Sequence, residues 1–210
     1  MKTPHRYRFS RTVRPNLLIS WLARQALRLV GWRIEGQPPE LKKFVVIGAP
    51  HTSNWDTAIM IAAGLYYGVR IHWLGKETLF KKPWGRLLMW LGGVPTRRGT
   101  NENAVDQAAA AFAGSESFVL VVAPEGTRGK ASYWKTGFYY IAHAAQVPIL
   151  FAYIDYRRKV VGVSPELLYP SGDIEADFAV IREFYSKVTP KFPAKMGQIE
   201  VRPRQEQAQD

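Results

Sequence analysis

The chain contains no cysteine, and this absence narrows the chemistry that is possible. Without cysteine there are no disulfides, no thiol nucleophile and no Cys-ligated zinc site. The absence of disulfides is consistent with a protein of a reducing compartment. Acidic residues are also scarce, because 17 Asp and Glu stand against 29 Lys and Arg and give a net charge of +12. Such an excess of positive charge favours anionic partners: nucleic acid, an anionic membrane surface or phosphorylated substrates.

Long charge-free runs are scarce as well. The longest, residues 136–154, has 19 residues and is long enough to raise the question of a transmembrane helix. It contains His143, however, and Gln146-Val-Pro148 predicts a break between a helix and a strand. We therefore expect this run to form part of a folded core and not to cross a membrane.

The signatures of two functional classes are missing. No Gly-x-Ser-x-Gly elbow is present, which argues against a serine hydrolase, and no recognised nucleic-acid motif appears. Seven Trp and the positive charge would allow a nucleic-acid-binding module, but the basic residues cluster in the N-terminal arm and the loops. Two alternative functions stay open: this binding module, and a hydrolase that uses a His-Asp pair to activate water or a serine. Because of where the basic residues lie, we expect no nucleic acid as partner. With 210 residues, 47% of them hydrophobic, one folded domain with a real core is expected.

The stretch that organises the chain is residues 44–56. The apolar run 44–47 predicts a buried strand, and the charge-free segment 57–69 continues as a helix. Ser53 or Asn54 can cap that helix, and Asp56 follows Ser53 by three residues, as in a weak capping box.

The same stretch places His51 in the turn before the helix and Asp56 in the first helical turn. A histidine there can fold back so that the Asp56 carboxylate accepts a hydrogen bond from one ring nitrogen. This would fix the tautomer and stabilise the imidazolium, as a general base requires. Alternatively, Asp56 only complements the helix dipole and His51 is an ordinary turn residue.

Alternating helices and strands follow this stretch and predict an α/β fold with a mixed, mostly parallel sheet flanked by helices. The predicted helices cover residues 84–91, 101–113, 135–146 and 177–187, and the predicted strands cover residues 69–74, 117–123, 147–154, 160–163 and 198–201. The strand 117–123 leads into the polar loop 124–130, and a loop at the carboxyl end of a strand is the usual place for an α/β site. Arg97 and Arg98, between glycines, could clamp a phosphate or form a solvated turn.

The N-terminal part carries a basic arm and then an amphipathic helix, from the cap Asn16 to Gly31. Its wide apolar face, its Trp and its arginines suit the plane of a membrane interface. The alternative is a helix that packs on the domain and shows its arginines to water. We expect three parts: residues 1–37 as arm and membrane-surface helix, residues 38–202 as the catalytic domain, and residues 203–210 as a polar tail.

Four motifs occur in order along the chain: His51-Thr-Ser-Asn-Trp-Asp56, Gly93-Val-Pro-Thr-Arg-Arg98, Pro124-Glu-Gly-Thr-Arg128 and Val147-Pro-Ile-Leu150. Together they resemble the four sequence blocks of the phospholipid/glycerol acyltransferase family, which includes the bacterial 1-acyl-glycerol-3-phosphate (lysophosphatidate) acyltransferases. The resemblance covers roughly residues 44–155, and its first and third blocks are the specific ones.

This resemblance implies that His51 is the general base and that Asp56 holds it. The acceptor hydroxyl would then attack the thioester of acyl-CoA or acyl-carrier protein directly, most simply on lysophosphatidate to give phosphatidate. Such a step needs a stabiliser for the oxyanion, and the backbone N–H groups at the helix start after His51 are available for this. The residues that match the positions holding the glycerophosphate part of the acceptor are Arg98, Glu125, Gly126, Thr127 and Arg128. The resemblance further implies no metal or cofactor, and a peripheral or monotopic place at an anionic membrane surface, on the cytoplasmic face of the inner membrane.

The sequence departs from the family pattern at two places. Arg97 stands where relatives often carry an acidic residue, and Ala123 stands where a larger apolar residue is common. The acceptor therefore stays open between lysophosphatidate, glycerol-3-phosphate and another lyso-lipid, whereas the class of reaction is better supported.

Overall fold

The computed structural model describes residues 16–81, 85–90, 92–96, 104–127, 129–130 and 132–201. The strands within these ranges are β1 (Arg33–Glu35), β2 (Lys43–Ala49), β3 (Ile71–Lys76), β4 (Gly93–Thr96), β5 (Phe118–Val122), β6 (Ile149–Asp155) and β7 (Val160–Leu168). The helices are α1 (Leu17–Leu29), α2 (Asn54–Tyr67), α3 (Gly85–Trp90), α4 (Ala104–Gly114), α5 (Gly137–Ala144) and α6 (Ile174–Tyr185), with short 3-10 helices at Glu77–Phe80 and Pro193–Lys195.

The strands form one sheet in the order β1-β7-β6-β2-β5-β3-β4. Strands β6, β2, β5, β3 and β4 run parallel, whereas β7 is antiparallel to β6 and β1 runs parallel to β7. The predicted α/β class with a mixed, mostly parallel sheet is thus confirmed. Because the carboxyl ends of parallel strands meet at one edge, the loops after β6, β2, β5 and β4 lie on the same side of the sheet.

Helices cover both faces of the sheet, and the central strand β2 is therefore buried without interruption from Phe44 to Ala49. Side chains alternate along a strand. Val45 and Ile47 face a core that includes α4, α5 and α6, whereas Phe44 and Val46 face the side covered by α2.

The N-terminal helix forms as predicted. The side chain of Asn16 accepts hydrogen bonds from the backbone N–H groups of Leu18 and Ile19, and Gly31 has a φ of +80° just after the helix ends. Of the residues of α1, Ala23 and Leu27 are buried, and the helix packs on α2. The strand β1 follows and joins the sheet edge beside β7. The division of the chain at residue 37 stays a prediction, while residues 1–15 and 202–210 lie outside the described residues.

Several elements differ from the sequence expectation. The predicted strand at residues 198–201 is wrong, because only an isolated bridge joins Trp134 to Val201. Strand β4 was not predicted, and it contains Pro95, which cannot donate to a ladder but is tolerated in an edge strand. Strand β7 extends to Leu168, beyond the predicted end at residue 163.

Tyr185 ties the two strands that lead to the candidate site. Its ring is wholly buried, and its hydroxyl lies 3.0 Å from the carbonyl oxygens of both Ile47 in β2 and Ala152 in β6. A hydroxyl has one proton to donate, so the two carbonyls share it. This contact fixes the carboxyl ends of β2 and β6 against α6.

Removing the hydroxyl with Tyr185→Phe should lower the free energy of unfolding by about 1–2 kcal/mol, because two buried carbonyls lose a donor. Chemical denaturation measures this change. The matched control is Tyr169→Phe, at an exposed position, for which we expect a change below about 0.5 kcal/mol. Equal stability of the two variants would show that the Tyr185 hydroxyl contributes nothing to the anchoring.

Candidate active site

The candidate site lies where β2 ends and α2 begins. Ser53 is the N-cap of α2, and its side chain accepts a hydrogen bond from the backbone N–H of Trp55 at 3.2 Å. The reciprocal contact of the capping box is present, since the backbone N–H of Ser53 donates to Asp56 Oδ2 at 2.8 Å. The helix ends at Gly68, whose φ of 66° suits glycine at a left-handed cap. The predicted strand-turn-helix is thus confirmed.

Asp56 is almost wholly buried, with 1% exposure, and it is surrounded by donors. Its Oδ2 also accepts a hydrogen bond from the backbone N–H of Thr52 at 2.8 Å, and its Oδ1 accepts one from the Tyr156 hydroxyl at 2.6 Å. Such contacts to an ionised oxygen are charge-assisted and strong. The carboxylate is thereby fixed in one orientation.

His51 lies beside this carboxylate. Its Nδ1 is 3.5 Å from Asp56 Oδ2, and the His51 side chain is 18% exposed. The distance exceeds that of a normal hydrogen bond, and catalytic contacts are often longer before substrate binds. The structure brings His51 and Asp56 together as the sequence predicts, with Nε2 on the side of the ring away from Asp56. Their catalytic roles stay a prediction.

Glu125 comes from the loop after β5, the strand beside β2. Its Oε1 accepts a hydrogen bond from the backbone N–H of His51 at 2.9 Å, which holds the turn that carries the histidine. Its Oε2 is buried and has no hydrogen-bond partner among the residues that the structure describes. Burial, together with the nearby charge of Asp56, raises the pKa of Glu125 to about 7.

The rest of the predicted acceptor site is described in part. Gly126 has a φ of 63°, and the side chain of Lys135 lies where a Cβ would be, with Nζ 2.7 Å from that position. The Thr127 hydroxyl accepts a hydrogen bond from the backbone N–H of Gly129 at 3.2 Å. Arg98 and Arg128, like Arg97, lie outside the described residues, so their predicted contacts with the acceptor stay predictions.

One sequence expectation is wrong at this site. The backbone N–H groups that follow His51 were expected to be available to a developing oxyanion. The structure shows that those of Thr52 and Ser53 donate to Asp56 and that of Trp55 donates to Ser53. These three donors stabilise the helix start and the carboxylate instead.

Tyr156 is a site residue that none of the sequence motifs includes. Tyr156 follows β6 directly, and β6 is the neighbour of β2 on the side opposite β5. The general rule that sites form at the carboxyl ends of adjacent parallel strands was the signal that could have found it. A second contact comes from the segment after α6, where the backbone N–H of Phe192 donates to the Thr52 hydroxyl at 3.3 Å.

No group of three or more His, Asp or Glu side chains is arranged to hold a metal ion in the described ranges. The expectation that the protein needs no metal or cofactor stays a prediction. The chemistry that the described groups can perform is proton transfer, by an imidazole whose Nδ1 faces a buried carboxylate.

The raised pKa of Glu125 makes stability depend on pH. From pH 4.5, the ordinary pKa, up to about 7, the folded protein keeps a proton on Glu125 that the unfolded chain releases. Stability therefore falls as pH rises through this window. Glu125→Gln removes this pH dependence. On going from pH 4 to pH 8, the free energy of unfolding of the variant should therefore rise by about 3 kcal/mol relative to that of wild type. Denaturant unfolding at both pH values measures this.

The control is Glu183→Gln on the exposed side of α6. Its exposed ion pair with Lys187 contributes little, so we expect its difference from wild type to change by less than about 0.5 kcal/mol between the two pH values. A constant difference between Glu125→Gln and wild type at pH 4 and pH 8 would contradict the shifted ionisation of Glu125.

Known proteins resemble this chain at the level of the family and of the fold. Residues 30–155 match the family model described as Acyltransferase, and no curated protein matches. Among solved structures, the chain is similar to the crystal structure of the 1-acyl-sn-glycerophosphate (LPA) acyltransferase PlsC from Thermotoga maritima, with 21% identity and a TM-score of 0.56. The similarity covers 81% of this chain and 78% of that chain, and at this identity it concerns the fold.

Proposed function

Because the chain belongs to the acyltransferase family, we propose that it transfers an acyl group from the thioester of acyl-CoA or acyl-carrier protein to a hydroxyl of a lysophospholipid. The acceptor that we propose first is lysophosphatidate, which would give phosphatidate. The observation that carries the proposal is the His51–Asp56 pair, in which a buried and fully hydrogen-bonded carboxylate faces Nδ1 of a partly exposed imidazole.

The proposed step needs one base. His51 Nε2 takes the proton of the acceptor hydroxyl while the hydroxyl oxygen forms a bond to the thioester carbonyl carbon. The carbon–sulfur bond then breaks, and the thiolate leaves with the proton from the imidazolium. Asp56 favours the Nδ1–H tautomer, leaves Nε2 as the basic nitrogen, and stabilises the imidazolium that forms.

Recognition of the acceptor rests on the third sequence block. The buried Oε2 of Glu125 can accept a hydrogen bond from an acceptor hydroxyl when the carboxyl is ionised. Arg98 and Arg128 follow β4 and β5, whose carboxyl ends lie at the same edge of the sheet, and their guanidinium groups suit a phosphate. We propose that they bind the acceptor phosphate beside the loop of Gly126 and Thr127.

An apolar cavity supports an acyl substrate. It has a volume of about 80 Å³ and lies between α2 and the sheet, where Met60, Ala63 and Tyr67 face Val46, Val121 and Val163. The spacing i, i+4, i+7 places Asp56, Met60 and Ala63 on one face of α2, so the cavity begins one helical turn from the carboxylate. A cavity lined by apolar side chains favours apolar ligands. We propose that it holds part of the acyl chain.

The outer side of α1 supports binding to a membrane surface. Leu17, Leu18, Trp21 and Leu22 are between 52% and 79% exposed, although they are large and apolar. On the adjacent α2, Ile61 and Leu65 are also exposed, and the Ser20 hydroxyl donates to the carbonyl of Leu65 at 3.4 Å. An apolar surface of this kind marks an interaction site. None of the helices in the described part of the chain is long and apolar enough to cross a membrane.

Acyl transfer by the purified protein tests the proposed function. We expect wild type to form phosphatidate from lysophosphatidate and a long-chain acyl-CoA or acyl-carrier protein in mixed micelles. His51→Ala should lower the rate at least about a hundredfold, because a general base contributes about 10²–10⁴. The matched control is His143→Ala, at an exposed position on α5, which should keep the wild-type rate.

Two results would count against the proposal. Retention of the rate by His51→Ala would remove His51 from the mechanism. If wild type forms product only from glycerol-3-phosphate or another lyso-lipid, the acyl-transfer step stands and lysophosphatidate is the wrong acceptor.

Binding to vesicles tests the membrane surface. Replacing Leu18 and Trp21 together by Gln should weaken binding to phosphatidylglycerol vesicles at least about tenfold, because burial of each such side chain contributes about 1.5–3 kcal/mol. Sedimentation with sucrose-loaded vesicles measures the bound fraction. The control is Val180→Gln, which changes an exposed apolar residue on α6. Equal binding by the double variant and the control would exclude α1 as the contact surface.

A further inference from the structure

Tyr156 is the side chain outside the four sequence blocks that touches the catalytic pair most directly. It follows the end of β6, 100 residues after Asp56, and its hydroxyl donates to Asp56 Oδ1 at 2.6 Å. The backbone N–H groups of Thr52 and Ser53 occupy the other carboxylate oxygen, Oδ2, which also faces His51 Nδ1. Among the residues that the structure describes, Tyr156 is therefore the side-chain donor on the oxygen that points away from the histidine.

Tyr156 stays a donor over the whole range of working pH. Burial is the largest cause that raises the pKa of its hydroxyl well above the ordinary value, and the hydrogen bond to Asp56 and the charge of Asp56 raise it further. A phenol that remains protonated can only lower the charge that Asp56 presents to the imidazole, because it takes up part of that charge in a short hydrogen bond.

The surroundings of Tyr156 fix its ring before substrate arrives. The Trp32 ring packs edge-on against it at a centroid distance of 4.9 Å. Its backbone N–H donates to the carbonyl of Thr189 at 2.8 Å, and Lys191 Nζ lies 5.8 Å from the centre of its ring. Contacts from two separate parts of the chain, Trp32 and the segment after α6, thus hold the hydroxyl over Asp56.

We propose that Tyr156 is a positioning residue of this acyltransferase: it holds the Asp56 carboxylate in place and limits how strongly Asp56 stabilises protonated His51. This inference rests on the proposed function of the His51–Asp56 pair. Without the Tyr156 hydroxyl, Oδ1 loses its donor, the charge of Asp56 acts more fully on His51, and the imidazolium becomes too stable to return its proton readily to the leaving thiolate.

Other charged groups face the same pair and stay unchanged in the test. Glu125 reaches the His51 backbone from the loop after β5, and Lys191 approaches Tyr156 and Trp55 from the segment after α6. Arg98 and Arg128 lie outside the described residues. The test replaces only a hydroxyl by hydrogen and removes none of these charged groups. Because the pKa of Glu125 is also about 7, the titration midpoint of the His51 ring itself, and not the kcat profile alone, separates the two groups.

The test compares Tyr156→Phe with Tyr139→Phe. Tyr139 is a matched control, since its hydroxyl donates to the carboxylate of Asp177, in the first turn of α6, at 2.8 Å. Both variants lose one tyrosine–carboxylate hydrogen bond. Tyr139→Phe also removes the acceptor of the Gly172 backbone N–H, so the control should lose at least as much stability as Tyr156→Phe. Tyr156→Phe alone should lower kcat about tenfold at pH 7 with an unchanged KM for the acceptor, as expected for a change in the proton-transfer step.

The pH dependence separates this role from a merely structural one. In Tyr156→Phe the acid limb of the kcat profile should move to higher pH, whereas in Tyr139→Phe it should coincide with that of wild type. Wild-type kcat and an unmoved acid limb in Tyr156→Phe would overturn the proposal, as would equal effects of both variants.

A readout independent of turnover keeps the inference distinct from the proposed function. Proton NMR of the His51 C2–H signal, assigned by its loss in His51→Gln, gives the titration midpoint of the ring. We expect a higher midpoint in Tyr156→Phe and no change in Tyr139→Phe. If wild type transfers no acyl group to any acceptor, the proposed function fails, while the midpoint still decides whether Tyr156 acts on His51; an equal midpoint in Tyr156→Phe and wild type overturns it.

Discussion

The rest of the site depends on the hydrogen bonds that surround the buried carboxylate of Asp56. A charge placed at 1% exposure is costly unless donors surround it. Here the start of α2 supplies two backbone N–H groups, and Tyr156 supplies a hydroxyl. The contacts that stabilise the buried charge also determine which carboxylate oxygen faces His51. The cap of α2 and the geometry of the site therefore depend on the same hydrogen bonds.

The order of the strands explains how residues far apart in sequence reach this carboxylate. Strands β5, β2 and β6 are adjacent and parallel, so Glu125, His51 and Tyr156 follow their carboxyl ends in that spatial order. Glu125 holds the backbone of the histidine and Tyr156 holds the carboxylate. Tyr185 fixes the ends of β2 and β6 from the opposite helix layer, and the turn that carries His51 is thereby supported on several sides.

The sequence predicts the parts of this arrangement that are local. The apolar run before His51, the cap at Ser53 and the helix after it are confirmed, as are the predicted strands that correspond to β5 and β6. These elements could be predicted because hydrophobic periodicity, capping residues and breaks are signals that lie within a few residues of one another. The pairing of Tyr156 with Asp56 spans 100 residues and has no local signal.

Other errors have equally specific causes. The short edge strand β4 contains a proline, and the expected strand at residues 198–201 has too few partners to form more than one bridge. The N–H groups after His51 were expected to be open, although the predicted capping box already uses that of Ser53. The contacts of the Thr52 N–H with Asp56 and of the Trp55 N–H with Ser53 were not anticipated. The family, the fold class and the Ser53–Asp56 cap were thus accessible from sequence, whereas the contacts of Thr52 and Tyr156 with the carboxylate were not.

The central claim is that Asp56 fixes His51 with a proton on Nδ1 and leaves Nε2 as the base. The most direct measurement is ¹⁵N NMR of histidine-labelled protein above the titration of the ring, in wild type and Asp56→Asn, with the His51 signals assigned among the four histidines by His51→Gln. We predict the Nδ1–H tautomer in wild type and its loss in Asp56→Asn. An Nε2–H tautomer in wild type, or the same tautomer in both proteins, would contradict this account.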